Sequence, residues 1–256
     1  MSALRPIVLL TDFGLRDPYA GIMKGVILSR APKAVLVDLC HEIGPQDVPA
    51  AALALRMSAP YFPDGSIFAA VVDPGVGSKR RVLWARSSSK QFVGPDNGIF
   101  SWVTGDEKIV EWRSITNKKY FLPPVGATFH GRDIFAPVAA ELSKGLPPSR
   151  LGPLIGDPVR LPWPEPTQAR GVVLTFDHFG NAVTNLPSAR IPAGARLTHK
   201  GRDLGTLRAH YAEVPEGRAL AVAGSSGLVE LSLRAGDFAA TTRARPGDPV
   251  HVRHRR

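Results

Sequence analysis

The sequence has 256 residues, of which 44% are hydrophobic, and a formal net charge of +10. This size and composition exclude a disordered chain and allow one large core or two smaller ones. A single cysteine, Cys40, excludes an internal disulfide framework or a cysteine-rich metal site and favours a reducing compartment. No apolar run approaches the ~20 residues that cross a bilayer, and the N-terminal apolar run is too short for a signal peptide. We therefore expect a cytoplasmic protein with no membrane partner.

Short apolar runs alternate with helical patterns in the first half of the chain. Residues 6–10, 34–39 and 67–72 predict strands, and residues 19–28 and 48–57 predict helices. Further elements are predicted in the same region: strands at 82–85, 91–93 and 109–112, and a helix at 133–144. This alternation predicts a mostly parallel sheet with helices on both faces.

Asp17 and Pro18 stand where the first predicted helix begins, and we expect them to act as N-cap and first-turn residue. At the other end of this region, residues 147–168 are so rich in proline that neither a helix nor a central strand is expected. We interpret this segment as a linker between an N-terminal domain, residues 1–146, and a C-terminal domain, residues 169–256.

The C-terminal segment shows short apolar runs separated by glycine and asparagine turns, and no convincing helix. The predicted strands are residues 171–176, 195–198, 204–209, 219–222, 228–233 and 249–252. This pattern predicts a small antiparallel barrel or sandwich. The expected fold is therefore an α/β domain followed by a smaller all-β, barrel-like domain.

The excess positive charge raises the question of a nucleic-acid partner. The basic residues are scattered, and their one dense cluster is residues 251–256, which we interpret as a frayed, solvated tail. Neither the aromatic ribonucleoprotein motifs nor a GxxG clamp is present. We expect no nucleic-acid partner.

Acidic residues follow three of the predicted strands. Asp12 comes after the first, Asp73 after the third, and Asp96 after the strand at 91–93. Each acidic loop alone is ordinary turn chemistry, but ligands of open α/β sheets lie beyond the carboxyl ends of the strands. We expect the three loops to share one cleft.

No motif in the sequence indicates a metal or cofactor site, so we expect neither a metal nor a cofactor. The Asp-Phe-Gly sequence at residues 12–14 matches the metal-binding motif of protein kinases. The glycine-rich phosphate loop and the catalytic-loop pattern of kinases do not accompany it. His41 and His178 lack the spacing of a metal-ligand pair.

Three further polar segments are open to a structural or a functional interpretation. His130 precedes the predicted helix at 133–144, where it is either a catalyst or a surface residue. The segments 177–181 and 224–227 have the composition of hairpin turns.

Seven motifs in order identify a family resemblance that spans residues 7–236. They are TDFG, MKG, DPGVG, PDNG, FHGRDIFAP, FGN followed by TN, and SSG. In this order they resemble the S-adenosylmethionine (SAM) hydroxide adenosyltransferase family, which also contains the SAM-dependent fluorinase and chlorinase. The resemblance implies the same two-domain plan and hydrolysis of SAM to adenosine and methionine.

The resemblance also implies roles for individual residues. Asp73, Arg80 and His130 would surround a water as the catalytic set, and the adjacent Arg81 leaves the register of the arginine open. Asp12 would hold the two ribose hydroxyls. The remaining substrate-binding residues would be Thr128, Phe129, Asp177, Phe179, Asn181, Tyr211, Ser225 and Ser226. Of these, Asp177 and the two serines would hold the methionine end, Asn181 the adenine edge, and the aromatic rings of Phe179 and Tyr211 would stack on adenine.

The resemblance further implies a homotrimer, with each site formed by the N-terminal domain of one subunit and the C-terminal domain of its neighbour. Halogenating members carry a hydroxyl residue where Gly131 stands, other residues in place of the Asp and His, and, in the fluorinase, an inserted loop. These departures favour water over halide as the nucleophile. The alternatives are a halogenase, a non-catalytic SAM or adenosine sensor, and a basic RNA-binding module.

Overall fold

The computed structural model describes residues 5–103 and 108–253. The chain divides into two units, Met1–Pro162 and Trp163–Arg256. The first is α/β and the second is built on an antiparallel sheet, which confirms the predicted fold class. The predicted domain boundaries stay predictions. No helix within the described ranges is long and apolar enough to span a membrane.

Six strands form the sheet of the first unit: β1 (Ile7–Thr11), β2 (Leu36–Cys40), β3 (Ile67–Val71), β4 (Val82–Arg86), β5 (Gln91–Pro95) and β6 (Glu111–Ser114). Their order is β2-β1-β3-β5-β4-β6. The first four strands of this order run parallel, and β4 and β6 run antiparallel to their neighbours. All six strands were predicted, and their observed ends lie within two residues of the predicted ones.

Three helices pack against the sheet: α1 (Tyr19–Arg30), α2 (Val48–Ser58) and α3 (Ala136–Ser143). Successive residues of β1 point to opposite faces. Ile7 therefore joins one core cluster with Met23 of α1, and Val8 joins the other with Leu55 of α2. Burial on both faces explains why the central strands β1 and β3 are almost wholly apolar.

The helix predicted at 133–144 is divided. Residues Gly131–Phe135 form a π-helical turn, in which the Ala136 N–H donates to the Gly131 carbonyl, and α3 follows. Proline has no N–H, so Pro137 cannot donate to the carbonyl of Asp133 four residues earlier. That carbonyl instead accepts from the N–H of Leu122, at 2.8 Å.

The predicted cap of α1 was also wrong. The helix begins at Tyr19, its N-cap is Pro18, and no side chain caps it. The Ile22 N–H donates to the Pro18 carbonyl at 2.8 Å, so the proline lies one position before the first turn and not within it.

The proline-rich segment extends along the first unit. The Ile155 N–H donates to the Trp112 carbonyl at 3.0 Å, and the Leu161 N–H donates to Ser101 Oγ at 2.8 Å. These bonds fix the segment up to the division at Pro162.

Seven strands form the sheet of the second unit: β7 (Arg170–Phe176), β8 (Ala182–Pro187), β9 (Arg196–His199), β10 (Arg202–Thr206), β11 (Ala219–Ala223), β12 (Leu228–Leu233) and β13 (Pro249–Arg253). Their order is β10-β9-β13-β7-β8-β12-β11, and every pair is antiparallel. The backbone N–H of Arg208, just after the edge strand β10, donates to the Ala221 carbonyl of the other edge strand, β11, at 2.9 Å. The sheet therefore nearly closes into a barrel.

Three features of this unit differ from expectation. Strand β8 was not predicted. A short helix, α4 (Phe238–Thr242), contradicts the expected absence of helices, and Asp237 caps it by accepting from the Ala240 N–H at 2.7 Å. Residues 251–253 belong to β13 and pair with β9, so they are not a frayed tail; residues 254–256 lie outside the described residues.

Short 3-10 turns complete the described secondary structure: Ala59–Tyr61, Lys118–Tyr120, Pro148–Arg150, Ser188–Arg190 and Tyr211–Glu213.

Candidate active site

A cavity of about 250 Å³ lies at the carboxyl ends of β1 and β3 in the first unit. Because Thr11 lies opposite Val71 in this parallel pair, Asp12 and Asp73 follow at the same edge of the sheet. The segment before α3 supplies the remaining wall. The lining residues are Asp12, Phe13, Gln46, Val71, Asp73, Pro74, Val76, Thr128, Phe129, His130 and Gly131.

The guanidinium of Arg80 joins two of the lining side chains into one hydrogen-bonded cluster. Its Nε donates to Asp73 Oδ1 at 2.8 Å, and its Nη2 donates to Asp73 Oδ2. The same Nη2 contacts His130 Nδ1 at 2.8 Å. The side chains of Arg80 and Asp73 are 9% and 5% exposed, so this is a buried, bidentate ion pair. The three predicted catalytic residues therefore lie together.

The contact with arginine fixes the protonation of His130. A guanidinium has only donors, so Nδ1 must accept, and the ring is neutral with its proton on Nε2. Burial, followed by the charge of Arg80, lowers the pKa of His130 below its usual value. Asp73, Asp133 and a hydrogen bond with the Gly126 backbone act in the opposite direction.

The adjacent arginine belongs to a different cluster. Arg81 donates from Nε to Asp96 Oδ2 and from Nη1 to Asp157 Oδ1, each at 2.7 Å. Asp96 Oδ1 also accepts from the Val159 N–H at 2.8 Å. Asp96 therefore anchors the proline-rich segment and does not line the cavity. The expectation that all three acidic loops share one cleft was wrong for this loop, because its carboxylate faces Arg81.

Asp12 and a group of aromatic rings form the other side of the cavity. Asp12 Oδ2 accepts from the Gln46 N–H at 2.8 Å. Phe129 makes edge-to-face contacts with Phe13 and Tyr19, with ring centroids 5.7 and 5.3 Å apart. A Cβ at Gly131 would lie 3.2–3.3 Å from the two phenylalanine rings, so the absent side chain lets them approach.

In the second unit, the segment 177–181 is the hairpin turn between β7 and β8. Asp177 Oδ1 accepts from the N–H groups of Phe179 and Asn181, and its Oδ2 accepts from Asn181 Nδ2 at 2.8 Å. The turn therefore satisfies most of the Asp177 acceptors internally. The ring of Phe179 is 73% exposed.

The segment 224–227 is the hairpin turn between β11 and β12, and Ser225 and Ser226 lie at its tip. Nearby, Tyr211 Oη donates to Glu230 Oε2 at 3.0 Å. Burial and the Glu230 carboxylate raise the pKa of Tyr211 to about 12, and burial raises the pKa of Glu230. The negative charge of Asp177 contributes to the rise of both pKa values.

Sequence reasoning missed several residues at these places. Gln46 orients Asp12 through its main chain, which leaves no side-chain signal in the sequence. Glu230 does carry one, because it is a charged residue inside a buried strand. In the portion of the chain that the structure describes, no group of three or more His, Cys, Asp or Glu residues is arranged to hold a metal ion.

Comparisons with known proteins agree with this architecture. The family model of the SAM hydroxide adenosyltransferase N-terminal domain matches residues 7–152, and that of the C-terminal domain matches residues 171–251. An (R)-S-adenosyl-L-methionine hydrolase of Thermus thermophilus is 43% identical over 97% of this chain and 100% of its own length.

Two further proteins are similar to this chain. The crystal structure of an uncharacterized conserved protein from Thermotoga maritima matches with a TM-score of 0.90 and 32% identity, covering 96% of this chain and 99% of that one. A fluorinase of an Actinoplanes species is more distant, at 28% identity over 70% of this chain and 71% of its own. This chain belongs to the SAM hydroxide adenosyltransferase family.

Proposed function

We propose that this protein hydrolyses SAM to adenosine and L-methionine by attack of an activated water on the ribose 5′ carbon. The observation that carries the proposal is the hydrogen-bonded cluster of Asp73, Arg80 and His130, in which Asp73 and His130 line the cavity. The name of the Thermus thermophilus relative supports the same activity.

The chemistry of SAM explains why such a cluster is useful. The sulfonium makes the 5′ carbon electrophilic, and methionine departs as a neutral thioether. The water oxygen forms a bond to C5′, the C5′–S electron pair goes to sulfur, and the water proton goes to a base. The leaving group needs no general acid, so the enzyme must activate and orient the nucleophile.

The geometry favours Asp73 as the proton acceptor. His130 Nδ1 already accepts from Arg80, so the neutral ring has no free lone pair. Each oxygen of Asp73 accepts one hydrogen bond from Arg80, and a carboxylate oxygen has a further lone pair. Arg80 stays charged and stabilises the developing hydroxide, while His130 orients the guanidinium.

The remaining site residues keep the roles that the resemblance implies. Asp12 binds the ribose hydroxyls beside Thr128 and Phe129, which line the cavity. The binding set of the second unit comprises Asp177, Ser225 and Ser226 for methionine and Phe179, Asn181 and Tyr211 for adenine. The exposed ring of Phe179 supports a stacking role.

We also propose a cytoplasmic homotrimer whose sites form between subunits, each from the N-terminal domain of one chain and the C-terminal domain of its neighbour. The single cysteine supports a reducing compartment. Sedimentation tests the assembly: a monomer at micromolar concentration that still turns over SAM would contradict it.

The test of the activity is incubation with SAM in ¹⁸O-labelled water, followed by mass spectrometry. We expect label in adenosine and none in methionine. Because the name of the relative specifies the R configuration at sulfur, the two sulfonium epimers should be assayed separately. Asp73→Asn should abolish turnover while SAM still binds.

The other outcomes identify the rival functions. A 5′-halo-adenosine that forms only with added chloride or fluoride would indicate a halogenase. If the native protein binds both sulfonium epimers of SAM tightly and turns over neither, that result would indicate a sensor.

A further inference from the structure

A bulge at the end of β2 places a buried histidine behind the Asp12 loop. In the parallel pair with β1, Leu9 lies opposite Asp38, yet the next residue, Leu10, lies opposite Cys40. Strand β2 thus carries one extra residue at this point. The extra residue brings His41 level with the last residue of β1, and bulges are known to re-aim side chains beside functional sites.

His41 belongs to a chain of hydrogen bonds that starts at the backbone of the loop. The Phe13 N–H donates to Thr11 Oγ1 at 3.2 Å, and Thr11 Oγ1 contacts His41 Nδ1 at 2.8 Å. His41 Nε2 contacts Asp38 Oδ1 at 3.0 Å, and Lys24 Nζ donates to Asp38 Oδ2 at 2.6 Å.

With a neutral ring, one assignment of protons satisfies every group in this relay. The Asp38 carboxylate only accepts, so His41 Nε2 donates to it and Nδ1 is left as an acceptor. The hydroxyl of Thr11 then donates to Nδ1 while it accepts from the backbone. Thr11 and His41 are 0% and 4% exposed, so removing either partner leaves a buried polar group unpaired.

The same histidine holds both ends of the loop that carries Asp12. Its side chain contacts Thr11 on one side of Asp12, and its carbonyl accepts from the Gly14 N–H on the other, at 2.7 Å. Gly14 has a φ of +69°, which a residue with a side chain rarely adopts. The carboxylate between these anchors has its Oδ2 bonded to the Gln46 N–H.

We infer that the relay of Thr11, His41 and Asp38 holds the Asp12 carboxylate in the orientation that recognises the two ribose hydroxyls of the substrate. Thr11 and His41 do not line the cavity, so they are positioning residues that act through Asp12. The inference rests on the proposed function, because ribose binding by Asp12 belongs to that proposal.

The test compares Thr11→Val with a control at Thr184, which has the same environment in the second unit. Thr184 is 0% exposed, its Oγ1 accepts from the Leu186 N–H at 3.2 Å, and it donates to the Val229 carbonyl at 2.8 Å. Thr184→Val therefore removes an equivalent pair of buried hydrogen bonds. Thr11→Ser keeps the hydroxyl and should restore the native behaviour.

The readout is the ratio of the dissociation constants of 2′,3′-dideoxyadenosine and adenosine, measured by calorimetry. We expect Thr11→Val to lower this ratio at least about tenfold, as the loss of well-placed charged hydrogen bonds would. It should also raise KM for SAM while kcat changes within about threefold. Asp12→Asn serves as the reference for full loss of ribose recognition, and Thr184→Val should keep the native ratio.

Two results would overturn the inference. One is a Thr11→Val protein that weakens both nucleosides equally, since that pattern indicates general loss of structure. The other is ¹⁵N NMR of the native protein that places the His41 ring proton on Nδ1. A native protein that binds both nucleosides with equal affinity would instead refute the proposed role of Asp12. The NMR assignment and the melting temperatures of the two Thr→Val proteins would then still show whether the relay exists.

Discussion

Replacing Arg80 by lysine tests whether the cluster works as one unit. Arg80 donates three hydrogen bonds to the other two members of the cluster, two to Asp73 and one to His130, from a planar group that lysine cannot reproduce. A single ammonium can keep one of these contacts. Since a hydrogen bond to a charged group contributes about 1.5–3 kcal/mol, losing two costs about 3–6 kcal/mol. If most of this loss falls on the transition state, kcat decreases about 10²- to 10⁴-fold.

Arg81→Lys is the matched control, because Arg81 is the adjacent arginine and its guanidinium bonds Asp96 and Asp157, neither of which lines the cavity. Adenosine release at saturating SAM gives kcat, and thermal unfolding gives the stability of each protein. We expect Arg81→Lys to lower the melting temperature while kcat stays within about threefold. Equal losses of kcat in the two variants, or an Arg80→Lys protein with nearly native kcat, would refute the reasoning.

Four further predictions concern pH and stability. Because the pKa of His130 is lowered by burial and by the adjacent guanidinium, the acid limb of kcat/KM should lie below pH 6.5; a limb at higher pH would contradict the neutral ring. The pKa of His199 is also lowered, first by burial, so the unfolded chain binds the proton more readily. The contribution of His199 to the free energy of unfolding should be present above pH 6.5 and be lost as the pH falls. The melting temperature should therefore decrease from pH 7.5 to pH 5.5, and His199→Gln should make this decrease smaller. Gly77→Ala should lower the free energy of unfolding by about 2 kcal/mol or more, since its Cβ would lie 2.3 Å from the Ala127 carbonyl at a φ of +77°. Gly21→Ala, in open space on α1, should raise it by about 0.5–1 kcal/mol in the same denaturation assay.

The sequence was sufficient to predict those helices and strands that local residue patterns or a run of buried apolar residues define. Strands such as β3 were identified because both faces are buried and every residue is apolar. The division of the helix at residue 136 could not be predicted, because the carbonyl that Pro137 leaves unpaired is satisfied by Leu122, a distant residue. Strand β8 was missed because its polar residues, Thr184 and Asn185, resemble a loop. In the folded sheet, the Thr184 hydroxyl donates to the Val229 carbonyl of the neighbouring strand β12, and Asn185 Oδ1 accepts from the Val172 N–H of β7.

The site was predictable to the extent that its residues follow strand ends. The alternating pattern predicted a mostly parallel sheet, and Asp12 and Asp73 share an edge because β1 and β3 are parallel neighbours in it. The choice of Arg80 over Arg81 rested on the family resemblance alone, since adjacent residues on a loop differ only in the direction that the folded backbone gives them. The role of Asp96 depends in the same way on a distant partner, because its Oδ1 accepts from the N–H of Val159, 63 residues further along the chain.

The neutral state of His130 matters for the proposed reaction because the substrate is itself a cation. Asp73 and Arg80 form a pair of opposite charges, so the cluster as a whole carries no net charge while the ring is neutral. A protonated ring would place a second positive charge near the sulfonium, and at 4 Å two such charges repel by about 4 kcal/mol at an effective dielectric constant of 20. Protonation would also remove the acceptor at Nδ1 and release the guanidinium from the ring. In the proposed reaction, a neutral His130 would let the site admit the SAM cation and would keep Arg80 in place for the attacking oxygen, and for both reasons the acid limb of activity should follow the lowered pKa of this histidine.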